Sequence, residues 1–199
     1  MATVKPFKAI RPDAKYADKV ISLPYDVMNR KEAAEMAADN PYSFLHICRA
    51  EIDLPEQENA YDQSVYEKAR DNIAERLASG VFVQEDKPAL YIYRQIMDGR
   101  VQTGIVGCVA VDEYQNNTIK KHEFTRVEKE KDRINHFDVC DADTEPVFLT
   151  YRDDKRIRTI MEGYVANHEP EYDITSDDGI QHTLWVVDDP ELVRSLTGL

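Results

Sequence analysis

The sequence contains few cysteines and no long hydrophobic run. Its three cysteines, Cys48, Cys108 and Cys140, form no C-x-x-C pair, so neither a disulfide framework nor a four-thiolate zinc site is expected. We interpret them as reduced, partly buried thiols. No stretch of about 18 apolar residues is present to span a bilayer, and the N-terminus lacks the apolar segment of a secretory signal. These absences predict a soluble, cytoplasmic protein.

Positive charge is also scarce, because 25 lysines and arginines face 38 acidic residues and leave a net charge of −13. A duplex nucleic acid would be repelled by such a chain unless a local basic face overcame the overall field. The composition therefore disfavours a nucleic-acid partner. A strongly acidic surface can also serve solubility alone.

Several local patterns predict individual helices. Asn29 followed by Glu32 matches a capping box at the start of a helix. A longer helix is predicted over 61–79, with Gly80 just beyond its end. Its apolar residues are spaced by four on one face, namely Val65, Ala69, Ile73 and Leu77.

A β-hairpin is predicted where two β-rich runs, 89–96 and 101–111, flank Asp98-Gly99. Further strands are predicted at 20–26, 43–48, 147–151, 172–175 and 182–187, and further helices at 125–137, at 154–164 and from Asp189-Pro190 onward. Strands and helices interleave irregularly, so we expect an α+β fold, a mixed sheet with a central β-hairpin and flanking helices. We expect two regions, residues 1–115 and residues 116–199.

The segment 120–133 gathers six cations around His122-Glu123 in an otherwise acidic chain. Thr125 followed by Glu128 again matches a capping box and predicts a helix to about Phe137. Helical geometry places cations and a histidine on one stripe, Arg126, Lys129, Arg133 and His136. The same geometry predicts a core-facing side made of Val127, Ile134 and Phe137.

Free N–H groups in the first turn of such a helix, next to lysines, favour phosphate binding. Glu123 stands just before that turn and could act as a general base on a substrate hydroxyl. We predict catalytic roles for Glu123 and His122, and phosphate contacts by Lys120, Lys121, Arg126, Lys129 and Arg133. Tyr25 and Asp26, on the loop after Pro24, are candidate substrate contacts, and the alternative is that Pro24-Tyr25-Asp26 forms an ordinary turn. No metal site is predicted, because no H-E-x-x-H pattern occurs. The alternative is a solvated helix face with paired charges.

Several stretches together resemble the uncharacterised bacterial and archaeal family catalogued as domain of unknown function 1015. They are Pro6-Phe7-Lys8-Ala9-Ile10-Arg11-Pro12, Leu23-Pro24-Tyr25-Asp26-Val27, Asn40-Pro41-Tyr42-Ser43-Phe44-Leu45-His46, Gly104-Ile105-Val106, Ile119-Lys120-Lys121-His122-Glu123-Phe124-Thr125 and Lys129-Glu130-Lys131-Asp132-Arg133. That family is distantly similar to the ParB and sulfiredoxin-like superfamily, which includes kinases of free serine. The kinases use a Lys-Pro-His-Glu motif, which Lys120-Lys121-His122-Glu123 resembles with Lys121 in place of proline. The resemblance implies Glu123 as base. The sequence does not identify the cofactor, and ATP or ADP with Mg²⁺ is the candidate.

Longer family members carry an Asp-Gly-His-His-Arg stretch beyond the equivalent of 182–187, and this sequence has none. We therefore expect an N-terminal portion whose region 116–199 begins a truncated ParB-like domain. The leading hypothesis is a phosphate- or nucleotide-binding part of a small-molecule, serine-type kinase. The alternatives are a non-catalytic interaction or scaffold module whose acidic body meets a basic partner, and a ParB-like nucleic-acid-associated protein.

Overall fold

The structure is a computed structural model that describes residues 2–55, 59, 61–122 and 124–198. Within these residues the chain forms eight α-helices and eight β-strands. The helices are α1 (Ala17–Val20), α2 (Arg30–Ala37), α3 (Leu45–Cys48), α4 (Gln63–Ala78), α5 (Val111–Gln115), α6 (Val127–Cys140), α7 (Lys155–Asn167) and α8 (Pro190–Thr197). The strands are β1 (Val4–Lys5), β2 (Ile10–Pro12), β3 (Phe82–Gln84), β4 (Leu90–Met97), β5 (Arg100–Val106), β6 (Cys108–Val109), β7 (Tyr172–Thr175) and β8 (Gln181–Val187). The predicted α+β class is confirmed.

The chain divides into two compact units. The sheet unit comprises Met1–Ala14, Gln84–Glu123 and Leu149–Leu199, and the helical unit comprises Lys15–Val83 and Phe124–Phe148. The boundary predicted near residue 115 lies inside the sheet unit, and the division into 1–115 and 116–199 stays a prediction.

The sheet unit is organised by a four-stranded antiparallel sheet with the order β5-β4-β8-β7. Its β4/β5 pair is the predicted hairpin, closed at Met97 opposite Arg100. Asp98 and Gly99 both have positive φ, 51° and 76°, as a two-residue type I′ turn requires. The central hairpin is therefore confirmed.

The core of the sheet unit lies between one face of this sheet and the two C-terminal helices. Leu90, Ile92, Trp185 and Val187 from the sheet pack in one cluster with Ile157 and Met161 of α7 and Leu196 of α8. Each such apolar side chain contributes about 1.5–3 kcal/mol when fully buried. Asp154 and Asp189 accept hydrogen bonds from the first turns of α7 and α8, and both predicted helices are confirmed.

The helical unit is built on α4, which buries the predicted stripe residues Val65, Ala69 and Ile73. The helix ends before Gly80, whose φ of 73° is readily adopted by glycine. The Asn29 side chain accepts from the Glu32 amide and the Glu32 side chain accepts from the Asn29 amide, so the capping box of α2 is confirmed.

Three predicted strands are wrong. Residues 43–48 include α3, Leu45–Cys48, and residues 20–26 include the end of α1 and the start of a 3-10 turn at Tyr25–Val27. Residues 147–151 adopt no regular structure. A short apolar run fits a buried helix as well as a strand, so periodicity alone does not decide between them.

Candidate functional site

Helix α6 contains Lys129, Arg133 and His136 of the predicted stripe, whereas Arg126 is its N-cap residue, and the buried face of the helix differs from the prediction. Asp132, His136 and Cys140 are buried. The side chains predicted to face the core are exposed instead: Val127 by 77%, Ile134 by 52% and Phe137 by 52%. The predicted capping box is also wrong, because the N-cap residue is Arg126 and no side chain caps the helix. The buried stripe is mostly polar, which a search for apolar periodicity does not detect.

Asp132 is held by a tyrosine from α4. The hydroxyl of Tyr66, a residue that is only 2% exposed, donates to Asp132 Oδ1 at 2.9 Å. Burial, with the neighbouring carboxylate, raises the pKa of Tyr66 to about 12. The tyrosine therefore stays protonated near neutral pH and acts as a fixed donor to the carboxylate.

Arg133 is held by two carboxylates and a ring. Its Nε and Nη2 donate to Asp132 Oδ2 at 3.2 and 2.7 Å, and its Nη1 donates to Glu145 Oε1 at 2.7 Å. The guanidinium carbon lies 4.4 Å from the centroid of the Tyr25 ring, within the range of a cation–π contact. These bonds use three of the five guanidinium N–H groups, and the described residues provide no hydrogen-bond acceptor for the other two.

The pKa values of two titratable groups beside Arg133, Glu145 and Tyr25, are both raised. Burial raises the pKa of Glu145, as do the carboxylates of Asp132 and Asp26, while Arg133 opposes the rise. Burial and the Glu145 carboxylate raise the pKa of Tyr25, while the charges of Arg133 and Lys129 lower it. Clustered perturbed groups of this kind are characteristic of functional sites, although structural ion pairs also produce them.

Lys129 lies one helical turn before Arg133 on α6. Its ammonium is 5.7 Å from the centroid of the Tyr61 ring. We call Tyr25, Lys129, Asp132, Arg133 and Glu145 the Arg133 cluster. The structure thus brings Lys129 and Arg133 together with the predicted substrate residue Tyr25. Asp26, exposed beside Tyr25, acts electrostatically on Glu145.

Residues of α3 and the following turn support the Arg133 cluster. Arg49 donates through Nη1 to the Tyr25 carbonyl at 3.2 Å, and its Nε lies 2.7 Å from Glu51 Oε1. His136 donates through Nε2 to the Ile47 carbonyl at 3.1 Å, and burial lowers its pKa. Burial raises the pKa of the Cys48 thiol to about 12, so the predicted reduced thiol is unreactive at neutral pH.

The remaining predicted residues lie elsewhere in the chain. Lys120, Lys121 and His122 belong to the sheet unit and are exposed, with the Lys121 ammonium 4.6 Å from the Tyr114 ring centroid. Arg126 is exposed in the helical unit. Glu123, the predicted base, lies outside the described residues. Their proposed roles remain predictions.

Two further findings concern the described part of the chain. No group of three or more His, Cys, Asp and Glu side chains there could hold a metal ion. Among the same residues, no helix combines the length and the apolar composition needed to cross a lipid bilayer.

Comparison with known proteins establishes the family of this α+β protein. The family model described as "Protein of unknown function (DUF1015)" matches residues 4–199, and the chain therefore belongs to that family. Searches of curated proteins and of solved structures found no match to the chain. The family resemblance predicted from the sequence is confirmed.

Proposed function

We propose that this chain is the phosphate- or nucleotide-binding part of a small-molecule kinase, with free serine as the first substrate to test. The observation that carries this proposal is the pairing of Lys129 and Arg133 on successive turns of α6, beside Tyr25 and Glu145. Residues four apart lie on the same side of a helix, so both cations can address one anion.

Arg133 suits such a role because its orientation is fixed before a ligand arrives. Asp132 and Glu145 hold the guanidinium in place, and two N–H groups remain without an acceptor among the described residues. A fixed, planar donor group recognises phosphate oxygens well. Lys129 is exposed and adds a mobile positive charge one turn away.

Glu145 provides a carboxyl group beside these cations. Its pKa is raised, which brings it closer to the range in which a group accepts and returns protons near neutral pH. In a kinase reaction the substrate hydroxyl oxygen would attack the terminal phosphorus, its proton would pass to a carboxylate, and the nucleoside diphosphate would leave. Glu145 is our candidate for that carboxylate in the helical unit. The family resemblance implies Glu123 as the base instead, so the two carboxylates are alternative candidates for the same role.

Isothermal titration of ATP, ADP and serine, with Mg²⁺, into three proteins tests the proposal. They are the wild type, Lys129→Gln and the matched control Lys131→Gln, which removes an equally exposed lysine from the same helix. We expect Lys129→Gln to weaken nucleotide binding about fivefold and Lys131→Gln to leave it unchanged. Absence of nucleotide binding by the folded wild type, or equal weakening by both substitutions, would contradict the proposal.

A second candidate is a non-catalytic interaction module. It is favoured by the exposed apolar side chains of α6, Val127, Ile134 and Phe137, and by Phe124, which is 99% exposed. Neighbouring exposed apolar groups often mark contact surfaces. This candidate predicts that folded protein binds no nucleotide in the titration above.

A further inference from the structure

The sheet unit contains a cavity of about 410 Å³ that the proposed function does not use. It lies on the core-facing side of the sheet, beside the C-terminal end of α7, where polar side chains replace the apolar ones of the core. Its floor is formed by side chains that point to the same face of β4, β8 and β7, and its rim by residues 165–170, which are the last turn of α7 and the segment that follows it. The floor includes Arg94, Thr183 and Asp173, which occupy one row across the three strands.

Arg94 forms one end of this row and has no ion-pair partner within the described part of the chain. Its Nε donates to Thr103 Oγ1 at 3.4 Å, and its guanidinium carbon lies 4.9 Å from the Trp185 ring centroid. No carboxylate among the described residues pairs with it. The stack against a buried indole fixes the orientation of the group while its terminal N–H groups stay available. Such an arginine is suited to bind a carboxylate in a two-point contact.

The other end of the cavity is acidic. Asp173 Oδ1 accepts from Gln181 Nε2 at 2.7 Å and lies 3.4 Å from Thr183 Oγ1, whereas Oδ2 accepts no hydrogen bond from the residues that the structure describes. Glu169 adds a second carboxylate to the lining. Because neighbouring strands are about 4.8 Å apart, the Arg94 and Asp173 backbones are separated by about 10 Å across β8. The cavity therefore presents opposite charges at its two ends.

The rim is fixed to the sheet by hydrogen bonds. The Trp185 indole N–H donates to the His168 carbonyl at 3.1 Å, and the Tyr164 hydroxyl donates to the Val186 carbonyl at 2.6 Å. The His168 ring stacks on Tyr164 with 3.9 Å between ring centroids, and its Nδ1 donates to the Tyr164 carbonyl. A preformed cavity of this kind loses little conformational entropy when a ligand enters.

We propose that this cavity binds a small ω-amino acid, a zwitterion whose ammonium and carboxylate groups stand at opposite ends of a short chain. The carboxylate binds Arg94 over the Trp185 ring, and the ammonium binds Asp173 and Glu169. A simple anion leaves the two carboxylates of the cavity without a counter-charge, and a simple amine leaves Arg94 without one. This inference is independent of the proposed function, because it concerns other residues in the other unit.

A titration series followed by amide NMR spectra of the whole chain tests the proposal. The probes are glycine, 3-aminopropanoate, 4-aminobutyrate and 6-aminohexanoate, with butyrate and butylamine as single-charge controls. We expect one of the longer amino acids to shift the amide signals of residues 94, 173 and 183, and to bind about tenfold or more tightly than either single-charge control. If no amino acid in the series binds, or if butyrate or butylamine binds as well as the best amino acid, the proposal fails.

Substitutions locate the binding. Arg94→Gln should weaken binding of the best amino acid about tenfold or more, whereas Arg100→Gln, at an exposed arginine of the same hairpin, should not. Asp173→Asn, on the exposed edge strand, gives a second variant if Arg94→Gln proves poorly folded, and it should reduce affinity for the amino acid but not for butyrate. Unchanged affinity in folded Arg94→Gln or in Asp173→Asn would overturn the proposal.

Discussion

Two arginines, Arg133 in the helical unit and Arg94 in the sheet unit, show two ways of holding a guanidinium group. Arg133 donates to two carboxylates and faces a tyrosine ring. Arg94 lies over an indole and has no carboxylate partner among the described residues. In the first case the charge is largely neutralised within the protein, so the arginine stabilises the fold and offers its spare donors. In the second case the charge is left for a ligand.

The largest expected difference between the two arginines is the loss in the free energy of unfolding when each is replaced by glutamine. Arg133→Gln leaves buried Asp132 and half-buried Glu145 without their counter-charge. Removing one partner of such a network costs about 2–4 kcal/mol, less than for a fully buried pair because Arg133 is partly exposed. Urea denaturation should therefore show a clear loss in the free energy of unfolding. A loss below about 0.5 kcal/mol would mean that the ion pairs contribute nothing measurable, as for many surface pairs.

A smaller effect concerns the pH dependence of stability and involves one histidine in each unit. Burial lowers the pKa of His136, so between that value and its ordinary 6.5 the unfolded chain binds more protons than the folded chain. The stability from neutral His136 is complete above pH 6.5 and is lost as the pH falls below it. Burial also lowers the pKa of His182 in the sheet unit.

Denaturation at a series of pH values between 7.5 and 5, with His136→Gln and His182→Gln as variants, checks this expectation. Each substitution should reduce the loss of stability on acidification, because it removes one histidine that the unfolded state protonates first. An unchanged pH profile in both variants would show that other groups govern this range.

The smallest expected effect on stability is that of Arg94→Gln. Arg94 has no ion pair to lose among the described residues, so its replacement should change the free energy of unfolding by about 0.5–1 kcal/mol at most, from the contact with Trp185. Denaturation in parallel with Arg133→Gln makes the comparison direct. Equal losses in the two variants would contradict the distinction between an arginine paired with carboxylates and one without such a pair.

Local patterns predicted the elements that local chemistry determines. The Asn29 capping box, the Asp98-Gly99 hairpin and helix α4 depend on neighbouring residues, and all three are confirmed. The register of α6 depends instead on distant partners, because Asp132 and His136 are buried only where Tyr66 and the Ile47 carbonyl complete their hydrogen bonds. A sequence read for apolar spacing could not place that face.

The candidate sites were predicted unequally. Tyr25, Lys129 and Arg133 were predicted as site residues from the sequence, and their roles stay predictions. Glu145 was not predicted, because it lies beyond the end of α6 and only the tertiary fold brings it to Arg133. The Arg94 cavity was missed, although a signal exists in the sequence. Alternate residues of β4 point to the same face of the sheet, and Leu90 and Ile92 point to the core. Arg94 is the next residue on that face, so the sequence places a charged side chain where an apolar one is expected.

Amide NMR mapping of two ligands on the same protein tests most directly the claim that the two arginines serve different sites. We predict that ADP shifts signals of α6 around Lys129 and Arg133, and that 4-aminobutyrate or 6-aminohexanoate shifts signals around Arg94 and Thr183. Each ligand should shift its own group of amide signals and leave the other group unchanged. Shifts of the same residues by both ligands, or no localised shifts by either, would contradict the account.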